Sequence, residues 1–572
     1  MTKKLLSILA LLCMTASGAW AQTTSDVGKV IAANGKMYNT VTLANKVSTA
    51  SGVVAYVGST SGCVCPDYPN DRVLVLAVNN TGYQAWGSTG CTHGGSCNTV
   101  ALALAHLSGN MTTYMLYQEH VSASAGHHTH LPAYQCRTLN VAKPSGAHEW
   151  FWPSVGQWNL MAKGLTGSSA NLSTTVESTL TADKINVKIE AAGAQAIPTG
   201  NHILSTSYDG DNFWEYSGGR LYSIAKSYAF YFRAMFTMPA SATKAYVVDY
   251  NANDGSGAPS AQSKDHGSNL TLSSTVPTRD GYTFAGWATS ASGAVAYAAG
   301  ATYTANADVT LYATWTKNEA TLTDGNDLTA LTAFAAKTCT VTYTRSFTSG
   351  KASTVCLPFA YAPKTGETFY TFSGITKSGS DYVATMTEAA TSPLTANTPY
   401  LFMPTGNADF SGTYAIPASL TAGTTTNGDW TFVGTYETVS WTEAPTGIYG
   451  FSAQDVAADG ISQGEFVKVG AYVKVKPMRC YLKYKNGNEN YANARALTRA
   501  AATDEDEPLP ETIKVRLIGA DGTVTAIGTL HTRTGEVSFD SEAWYTLDGK
   551  RLAGQPTQKG IYVNNGKKVV IK

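Results

Sequence analysis

Short apolar runs bounded by turn-forming residues dominate the hydrophobic pattern of this chain. Residues 28–38 place an Asn-Gly pair between two short apolar stretches, a spacing typical of two strands joined by a turn. Residues 52–58 and 73–78 are apolar runs flanked by Gly, Pro and Asp, and such runs predict buried strands. The high content of Gly, Thr, Ser, Ala and Tyr agrees with β-rich domains. The pattern therefore predicts a mainly β chain.

Length and charge narrow the class of protein. A chain of 572 residues predicts several domains, because a single core rarely grows beyond ~250–300 residues. Acidic and basic residues number 40 each, so no broad basic field favours nucleic acid as a partner. We therefore expect a multidomain protein that does not bind nucleic acid.

One helix is predicted near residue 155, where Trp158, Met161 and Leu165 recur at helical spacing. The residues that lead into it, Trp-Phe-Trp-Pro-Ser-Val-Gly-Gln-Trp at 150–158, resemble a [WF]-x-[LW]-P-S-x-x-[QE]-W segment. That segment is typical of a bacterial domain family named for the major paralogues of Fibrobacter, within the C-type-lectin-like and formylglycine-generating-enzyme-like fold group. The resemblance implies an α+β, C-type-lectin-like domain over residues 22–240.

The known chemistries of that fold group are not supported by the residues of this domain. Its calcium-dependent sugar sites use Glu-Pro-Asn or Gln-Pro-Asp triplets with a Trp-Asn-Asp strand, and none occurs here. Its oxidases use a late pair of copper-binding cysteines, but no cysteine of this domain follows Cys136. The resemblance therefore implies a fold whose loops can bind a ligand, but the fold alone does not determine the function.

The segment from Tyr208 to Tyr222 is the best candidate for such a loop, because it mixes aromatic, Asn, Ser and Gly residues as adaptable binding surfaces do. The candidate ligand-binding residues are Asp209, Asp211, Asn212, Trp214, Tyr216, Arg220 and Tyr222. The alternative is that Trp214 and Tyr216 pack within the domain. The binding interpretation predicts that both rings are exposed to solvent, and the packing interpretation predicts that both are buried.

Cysteines and histidines cluster in the first domain. The cysteines are Cys63, Cys65, Cys91, Cys97 and Cys136, and the histidines include His93, His120, His127, His128, His130 and His148. No spacing matches a closed zinc motif, so we expect disulfides with exposed histidines, and neither metal nor cofactor; a metal site is the alternative. Cys91 and Cys97 could close a small ring. Farther along, Cys356 is expected to be a buried structural thiol, with a bridge to Cys339 as the alternative.

Residues 246–316 carry the most specific resemblance. The Asp280-Gly281 turn is followed by Tyr-Thr-Phe-Ala-Gly-Trp at 282–287, and a closing strand ends at Trp315. This arrangement closely resembles the Listeria–Bacteroides repeat, a β-grasp-like module of bacterial surface proteins, and places it at residues 244–317. Trp287 and Trp315 are expected to fill its small core. The resemblance implies a spacer or adhesion role.

The remainder is predicted to be β-rich as well. The segments Ser353-Thr-Val-Cys-Leu-Pro-Phe359 and Lys476-Pro-Met-Arg-Cys-Tyr-Leu482 resemble parts of a β-rich domain that recurs in Bacteroidetes surface proteins. The resemblance covers residues 320–488, and we expect a β-sandwich-like fold there. Residues 489–511 form a linker of like charges and prolines. Residues 512–572 contain the Asp548-Gly549 turn and a basic last strand, and they resemble C-terminal modules that include type IX sorting signals. This small β-module is either a sorting signal or purely structural.

The N-terminal residues predict export. Lys3 and Lys4 precede an apolar run, and Ala19-Trp20-Ala21 forms a small-x-small cleavage site, as in a secretory signal peptide over residues 1–21. No other apolar run is long enough for a membrane helix. The expected location is the cell surface, the cell envelope or the exterior.

No hydrolase, metalloprotease, P-loop or dinucleotide motif is present in the sequence. We therefore predict a non-enzymatic secreted or surface binding protein, in which the first domain recognises a glycan or protein on a host or neighbouring cell and the later modules act as spacers. The alternative is an enzyme carried by the first domain. A pocket there with a desolvated acid or histidine would favour that alternative.

Overall fold

The computed structural model describes residues 22–58, 65–85, 95–96, 100–105, 107, 109–122, 131–200, 203–209, 212–378, 381–452, 466–488, 509–520, 524–526, 529–531, 536–538, 544–547, 551–552, 554–564 and 567–571. The predicted signal peptide and most of the predicted linker lie outside these residues. The chain forms two compact units: the first holds residues up to 278 with 284–314, and the second holds 279–283 and residues from 315 onward. None of the described helices has the length and apolar character needed to cross a membrane.

The described part of the first unit contains β-sheets and six helices. Its helices are α1 (Val41–Val47), α2 (Val100–Ala105), α3 (Gly109–Ser122), α4 (Leu131–Arg137), α5 (Val155–Thr166) and α6 (Ala182–Ala191). Its strands, two of which extend a few residues past the unit boundary, are β1 (Val30–Ala32), β2 (Lys36–Tyr38), β3 (Ala50–Val57), β4 (Val73–Ala77), β5 (Gly82–Ala85), β6 (Gly95–Ser96), β7 (Ile203–Asp209), β8 (Asn212–Ser217), β9 (Arg220–Ala225), β10 (Ala229–Phe232), β11 (Met235–Met238), β12 (Thr243–Asn251), β13 (Gln262–Asp265), β14 (Leu270–Thr271), β15 (Tyr282–Ala288), β16 (Thr302–Tyr303) and β17 (Val309–Lys317).

The strands predicted from residues 28–38, 52–58 and 73–78 are confirmed as β1 to β4. They join a nine-stranded sheet of order β11-β4-β3-β1-β2-β12-β17-β15, with β13 paired to β12. A second sheet has the order β5-β10-β7-β8-β9, with β6 on β7. Both sheets contribute to one continuous apolar core with the helices.

The nine-stranded sheet crosses the predicted boundary between the first domain and the repeat. Strand β2 pairs with β12 in parallel, Thr243 opposite Lys36 and Lys244 opposite Met37. Side chains bridge the same junction in four pairs: Lys36 with Asp265 at 2.6 Å, Tyr38 with Ser263 at 2.8 Å, Asn39 with Asp308 at 2.6 Å, and Lys46 with Asp249. The two predicted domains therefore share backbone hydrogen bonds and are not joined by a linker alone.

The predicted helix after residue 153 is confirmed as α5. Ser154 is its N-cap, and its hydroxyl accepts from Gln157 N while Gln157 Oε1 accepts from Ser154 N at 3.1 Å. This reciprocal pair is a capping box, which satisfies backbone donors at the start of the helix. Gly167 ends the helix at a φ of 75°. The tryptophans of the same motif, Trp150, Trp152 and Trp158, are buried.

Trp287 occupies the core of the repeat, as predicted. It is fully buried, with its ring 4.9 Å from that of Tyr250 and 5.0 Å from that of Phe284. The same prediction for Trp315 is wrong, because Trp315 is only half-buried.

The described part of the second unit is almost entirely β. It has one short helix, α7 (Thr329–Thr332), and the strands β18 (Glu319–Leu322), β19 (Thr338–Tyr343), β20 (Ser353–Cys356), β21 (Glu367–Ser378), β22 (Asp381–Glu388), β23 (Pro399–Pro404), β24 (Gly412–Ala415), β25 (Thr424–Asn427), β26 (Trp430–Thr435), β27 (Val439–Ser440), β28 (Thr446–Phe451), β29 (Phe466–Lys468), β30 (Lys474–Val475), β31 (Arg479–Asn488), β32 (Thr512–Ile518), β33 (Val524–Ala526), β34 (Thr529–His531), β35 (Glu536–Ser538), β36 (Trp544–Thr546), β37 (Arg551–Leu552), β38 (Gly560–Asn564) and β39 (Lys567–Ile571).

An eleven-stranded sheet organises this unit, in the order β20-β23-β21-β22-β32-β29-β28-β31-β26-β25, with β33 on β32. Strand β32 belongs to the segment predicted to begin the C-terminal module, yet it pairs with β22 and β29. A separate four-stranded sheet, β37-β36-β38-β39, forms from the last residues. The mainly β fold class is therefore confirmed, while the β-sandwich-like, β-grasp-like and lectin-like types stay predictions.

Candidate functional site

The segment predicted to be a binding loop is largely sheet. Strands β7, β8 and β9 form an antiparallel arrangement in which Trp214 is 6% exposed and Tyr216 is 2% exposed. The Tyr216 hydroxyl donates to the Leu180 carbonyl at 2.8 Å. These residues therefore do not form an accessible aromatic loop. The structure favours the alternative, in which both rings pack in the core. Every residue of β8 from Phe213 to Ser217 is buried, so both faces of the strand are covered.

The remaining predicted site residues are spread along the same hairpin. Asn212 is half-buried at the start of β8. The Arg220 guanidinium lies 4.2 Å from the centre of the Tyr222 ring, and its Nε donates to the Tyr222 hydroxyl. The side chain of Asp209, and Asp211 as a whole, lie outside the described residues. The structure thus brings Arg220 and Tyr222 together and leaves ligand binding by this hairpin a prediction.

Glu215 lies on β8, the strand that carries Trp214 and Tyr216, and is fully buried. Burial raises its pKa from the ordinary 4.5 to about 8, because a carboxylate loses hydration there. Lys226 is also buried, with its Nζ 4.5 Å from the centre of the Tyr208 ring. A desolvated acid of this kind is one of the features that would favour an enzyme.

The cysteine and histidine cluster is only partly described. Cys65 and Cys136 are buried free thiols, so the expected disulfides do not form at these two residues. Burial raises the pKa of the Cys65 thiol to about 12, which keeps it protonated and unreactive. The other cysteines of the cluster, and His93, His127, His128 and His130, lie outside the described residues, as does the side chain of His120. In the described part of the chain, no group of three His, Cys, Asp or Glu residues is arranged to hold a metal ion.

His148 has a structural environment. Its ring stacks on Tyr68 with centroids 3.3 Å apart, and its Nε2 lies 3.4 Å from Asp71 Oδ2. Asp71 is almost fully buried, and burial raises its pKa despite the opposing effects of Thr237 and His148. The prediction of an exposed histidine is wrong for His148, which is half-buried against these partners.

The cysteines of the second unit are buried as well. Cys339, Cys356 and Cys480 are free thiols, so the alternative of a bridge between Cys339 and Cys356 is not realised. Burial raises the pKa of Cys356 to about 12. The prediction of a buried structural thiol at Cys356 is confirmed.

A cleft of 630 Å³ opens on the first unit, where the end of β4 meets α1 and the segment after α4. Among the described residues that line it, none is charged. Its polar side chains are two threonines and four asparagines: Thr49, Thr81, Asn45, Asn79, Asn80 and Asn140. Small apolar residues such as Val41 and Leu139 fill the rest of its surface. This cleft is the candidate binding site.

A buried arginine fixes the floor of this cleft. Arg233 donates through Nε to the carbonyl of Ala77 at 2.7 Å, through Nη2 to that of Val78 at 2.7 Å, and through Nη1 to that of Gln195 at 2.6 Å. Gln195 Oε1 in turn accepts from Asn80 N at 2.8 Å. Burial lowers the pKa of Arg233, but three carbonyl acceptors compensate the buried charge. The loop that carries the asparagines is therefore held in one conformation.

The opposite wall is fixed in a similar way. Asn45 Oδ1 accepts from Ala50 N at 2.8 Å, and the Ser51 hydroxyl donates to the Ala142 carbonyl at 2.6 Å. Both contacts tie α1 and the segment after α4 to the start of β3. A site with walls fixed in this way loses little conformational entropy when a ligand binds.

The polar groups of the cleft suit an uncharged ligand. Asn79 and Asn140 are exposed, so their amides are available to donate and accept. Asn80 Oδ1 is buried and has no hydrogen-bond partner among the described residues. The described lining contains no carboxylate, histidine, cysteine or lysine that could transfer a proton. The cleft can therefore recognise hydroxyl or amide groups, and Glu215 does not line it.

Sequence reasoning missed this cleft. The apolar run at 73–78 predicted a strand, and the polar triplet Asn79-Asn80-Thr81 directly after it was the available signal. The other contributors, Asn45 and Asn140, are distant in sequence. Their convergence depends on the tertiary fold.

Residues 246–314 match the Listeria–Bacteroides repeat domain, which confirms the sequence-based identification of the repeat. Among proteins with curated functions, none matches this chain. A fimbrial protein from Bacteroides ovatus ATCC 8483 is similar over 37% of this chain and 48% of its own, with 12% identity and a TM-score of 0.25. The chain thus spans about half the length of that protein, and a TM-score this low carries no argument. The repeat match supports a cell-surface protein.

Proposed function

We propose that this chain is a non-enzymatic surface protein that binds a ligand through its first domain and uses the repeat and the later β-modules as spacers. The match of residues 246–314 to the Listeria–Bacteroides repeat supports the surface role. We further propose that residues 1–21 direct export, and that residues 512–572 act as a C-terminal module with a sorting or structural role. The ligand belongs to a host or neighbouring cell.

The observation that carries the binding proposal is the uncharged, asparagine-lined cleft of the first unit. Its amides donate and accept hydrogen bonds, and its small apolar residues provide surface for the carbon skeleton of a ligand. The ligand class that this chemistry recognises is a neutral glycan or an uncharged segment of a protein.

The test begins with an array of neutral glycans and surface proteins probed with the full chain. Asn79→Ala and Asn140→Ala remove exposed amides and leave the buried hydrogen bonds in place. Each variant should weaken binding by about tenfold, since a hydrogen bond in a binding site contributes roughly 1.4 kcal/mol. The matched control is Asn269→Ala, because Asn269 is exposed in the same unit and does not line the cleft. A bound ligand that tolerates both substitutions places the site elsewhere.

The alternative function is an enzyme in the first domain, and the raised pKa of Glu215 favours it. A carboxylic acid that stays protonated near neutral pH can act as a general acid. Against this, Glu215 is fully buried and does not line the cleft. Turnover of a bound glycan that Glu215→Gln abolishes, with binding unchanged, would establish the enzyme.

A further inference from the structure

A second cleft, of 490 Å³, lies in the second unit, where the ends of β28 and β29 meet β30 and the start of β31. Four of its lining residues carry positive charge: Lys468, Lys474, Lys476 and Arg479. Among the described residues that line it, none is acidic. The whole chain has equal numbers of acidic and basic residues, so the positive charge here is local to the cleft.

Two of the four cations are paired with carboxylates. Lys468 Nζ lies 2.9 Å from Glu511 Oε1, and Arg479 Nη2 lies 2.7 Å from Asp324 Oδ1. Although burial raises the pKa of Asp324, the hydrogen bond and charge of Arg479 and the charge of Lys476 lower it overall. This carboxylate is therefore ionised and already engaged by Arg479 at neutral pH.

Lys474 and Lys476 remain exposed, and within the described part of the chain neither forms a salt bridge. Val475 between them is buried in an apolar cluster that includes Trp441 and Tyr481. Because alternate residues of an extended segment face opposite sides, the two lysines share the solvent-facing side. The cleft consequently keeps two positive charges beyond those that its carboxylate partners balance.

The lysine segment is bordered by two residues in the left-handed backbone region. Tyr472 has a φ of 64° and Met478 has a φ of 60°. For a residue other than glycine this conformation is unfavourable, and it persists only where surrounding contacts impose it. Tyr472 N donates to the Trp441 carbonyl at 2.6 Å, while 81% of the Tyr472 side chain is exposed. Tyr472 does not itself line the cleft, but it directly precedes the lining residue Val473 and stands two positions before Lys474, so an exposed aromatic residue borders the lysine segment.

We propose that this cleft binds an anionic glycan, with carboxylate or sulfate groups held by Lys474 and Lys476 and the Tyr472 ring stacked on a sugar face. Tyrosine offers a rigid, amphipathic contact area at a low cost in conformational entropy. A flat exposed ring next to spaced cations suits a sugar chain, because an extended peptide would require alternating pockets for its side chains. This site is separate from the uncharged cleft of the first unit and recognises a different chemistry.

The experiment measures affinity of the full chain for four probes of similar length: oligogalacturonate, a sulfated dextran oligomer, neutral dextran and polyglutamate. Oligogalacturonate or sulfated dextran should bind, neutral dextran should not, and the affinity should fall as salt rises. Comparison of the first two probes shows whether carboxylate or sulfate is the preferred group.

Three variants test the residues. Lys474→Ala with Lys476→Ala should weaken binding at least tenfold and flatten its salt dependence. Tyr472→Gly should also weaken binding, and it should not lower the melting temperature, because glycine adopts a positive φ without strain. Lys337→Ala is the matched control, since Lys337 is exposed in the same unit and does not line the cleft.

Several results would overturn the proposal. They are the absence of binding to either anionic glycan, equal losses in the Lys337→Ala control, and unchanged affinity in the lysine pair variant. Tighter binding to polyglutamate than to both glycans would instead assign an acidic peptide as the ligand. Because Asn79→Ala and Asn140→Ala alter only the first unit, their effects are distinguishable from these.

Discussion

At the scale of single residues, the Trp-Phe-Trp-Pro-Ser motif acts by satisfying buried backbone groups. Trp152 N donates to Thr113 Oγ1 at 2.8 Å, and the same hydroxyl donates to the Gly109 carbonyl at 2.6 Å. Gln157 Nε2 donates to the Leu107 carbonyl at 2.8 Å. These contacts attach α5 to the start of α3. The polar residues of the motif therefore have a structural role here.

Gly109 is the residue of this network that tolerates substitution least. A Cβ at position 109 would lie 2.8 Å from Ser154 N and would overlap severely with Gln157 Oε1. Gly109→Ala should destabilise the fold by roughly 1–3 kcal/mol, because the capping box must shift. Thermal denaturation measures the loss. The control is Gly406→Ala, where a Cβ would meet nothing within 4 Å, and equal stability of the two variants would contradict the packing argument.

Glu215 makes the stability of the first unit dependent on pH. Its folded-state pKa of about 8 lies above the ordinary value of 4.5, so the fold holds the protonated form. Below pH 4.5 both states are protonated and the fold is not penalised. As pH rises from 4.5 to 8, ionisation of the unfolded state removes up to roughly 1.4 kcal/mol of stability per pH unit.

Glu215→Gln should remove this dependence, because glutamine is neutral at every pH. The melting temperatures of wild type and variant should therefore differ least below pH 4.5 and diverge toward pH 8, with the variant higher. If the difference in melting temperature between wild type and variant stayed constant across that pH range, Glu215 would be ionised in the folded protein.

The rings of Trp214 and Tyr216 show that the local sequence does not determine whether a side chain is buried. Trp214 and Tyr216 occur among Gly, Asn and Ser residues, a composition shared by exposed binding loops and by tight hairpins. Which side of a strand faces inward depends on packing partners such as Leu180, more than thirty positions away. Local composition therefore did not determine whether the rings of Trp214 and Tyr216 are exposed or buried, and the fold buries both.

At the scale of elements, a tryptophan organises the repeat. The Trp287 ring packs against Tyr250 of β12 and Phe284 of β15. Trp287→Ala should destabilise the repeat by about 3–5 kcal/mol, because it leaves a large cavity in a small core. Chemical denaturation followed by circular dichroism measures this. Trp315→Ala, at a half-buried ring, should cost less, and a reversed order would contradict this assignment of the core.

Element types were predictable where a period or a turn was local. The strands from 28–38, 52–58 and 73–78 follow directly from apolar runs, and helix α5 follows from the helical spacing of Trp158, Met161 and Leu165. The pairing of β2 with β12 was not predictable, because it joins segments about 200 residues apart and depends on side chains such as Lys36 and Asp265. The cleft depends on the same kind of long-range convergence.

At the scale of the whole molecule, the shared sheet changes how the first domain and the repeat are connected. If the two were separate modules, as the sequence suggested, each would unfold independently of the other. The backbone amides of each would then also exchange their hydrogens independently. Parallel pairing of β2 with β12 and the ion pair of Lys46 with Asp249 instead make the repeat part of the support of the first domain.

This coupling predicts that damage to the repeat reaches the first domain. In Trp287→Ala of the full chain, hydrogen–deuterium exchange should accelerate at the amides of β12 and also at those of β1 and β2, because edge pairing lost at β12 exposes β2 to solvent. Val187→Ala, at an exposed side chain of the first unit, should leave exchange unchanged. If β12 exchanges rapidly while β1 and β2 keep their protection, the two segments are independent modules, and the sheet pairing at Lys36 and Thr243 contributes nothing measurable to stability.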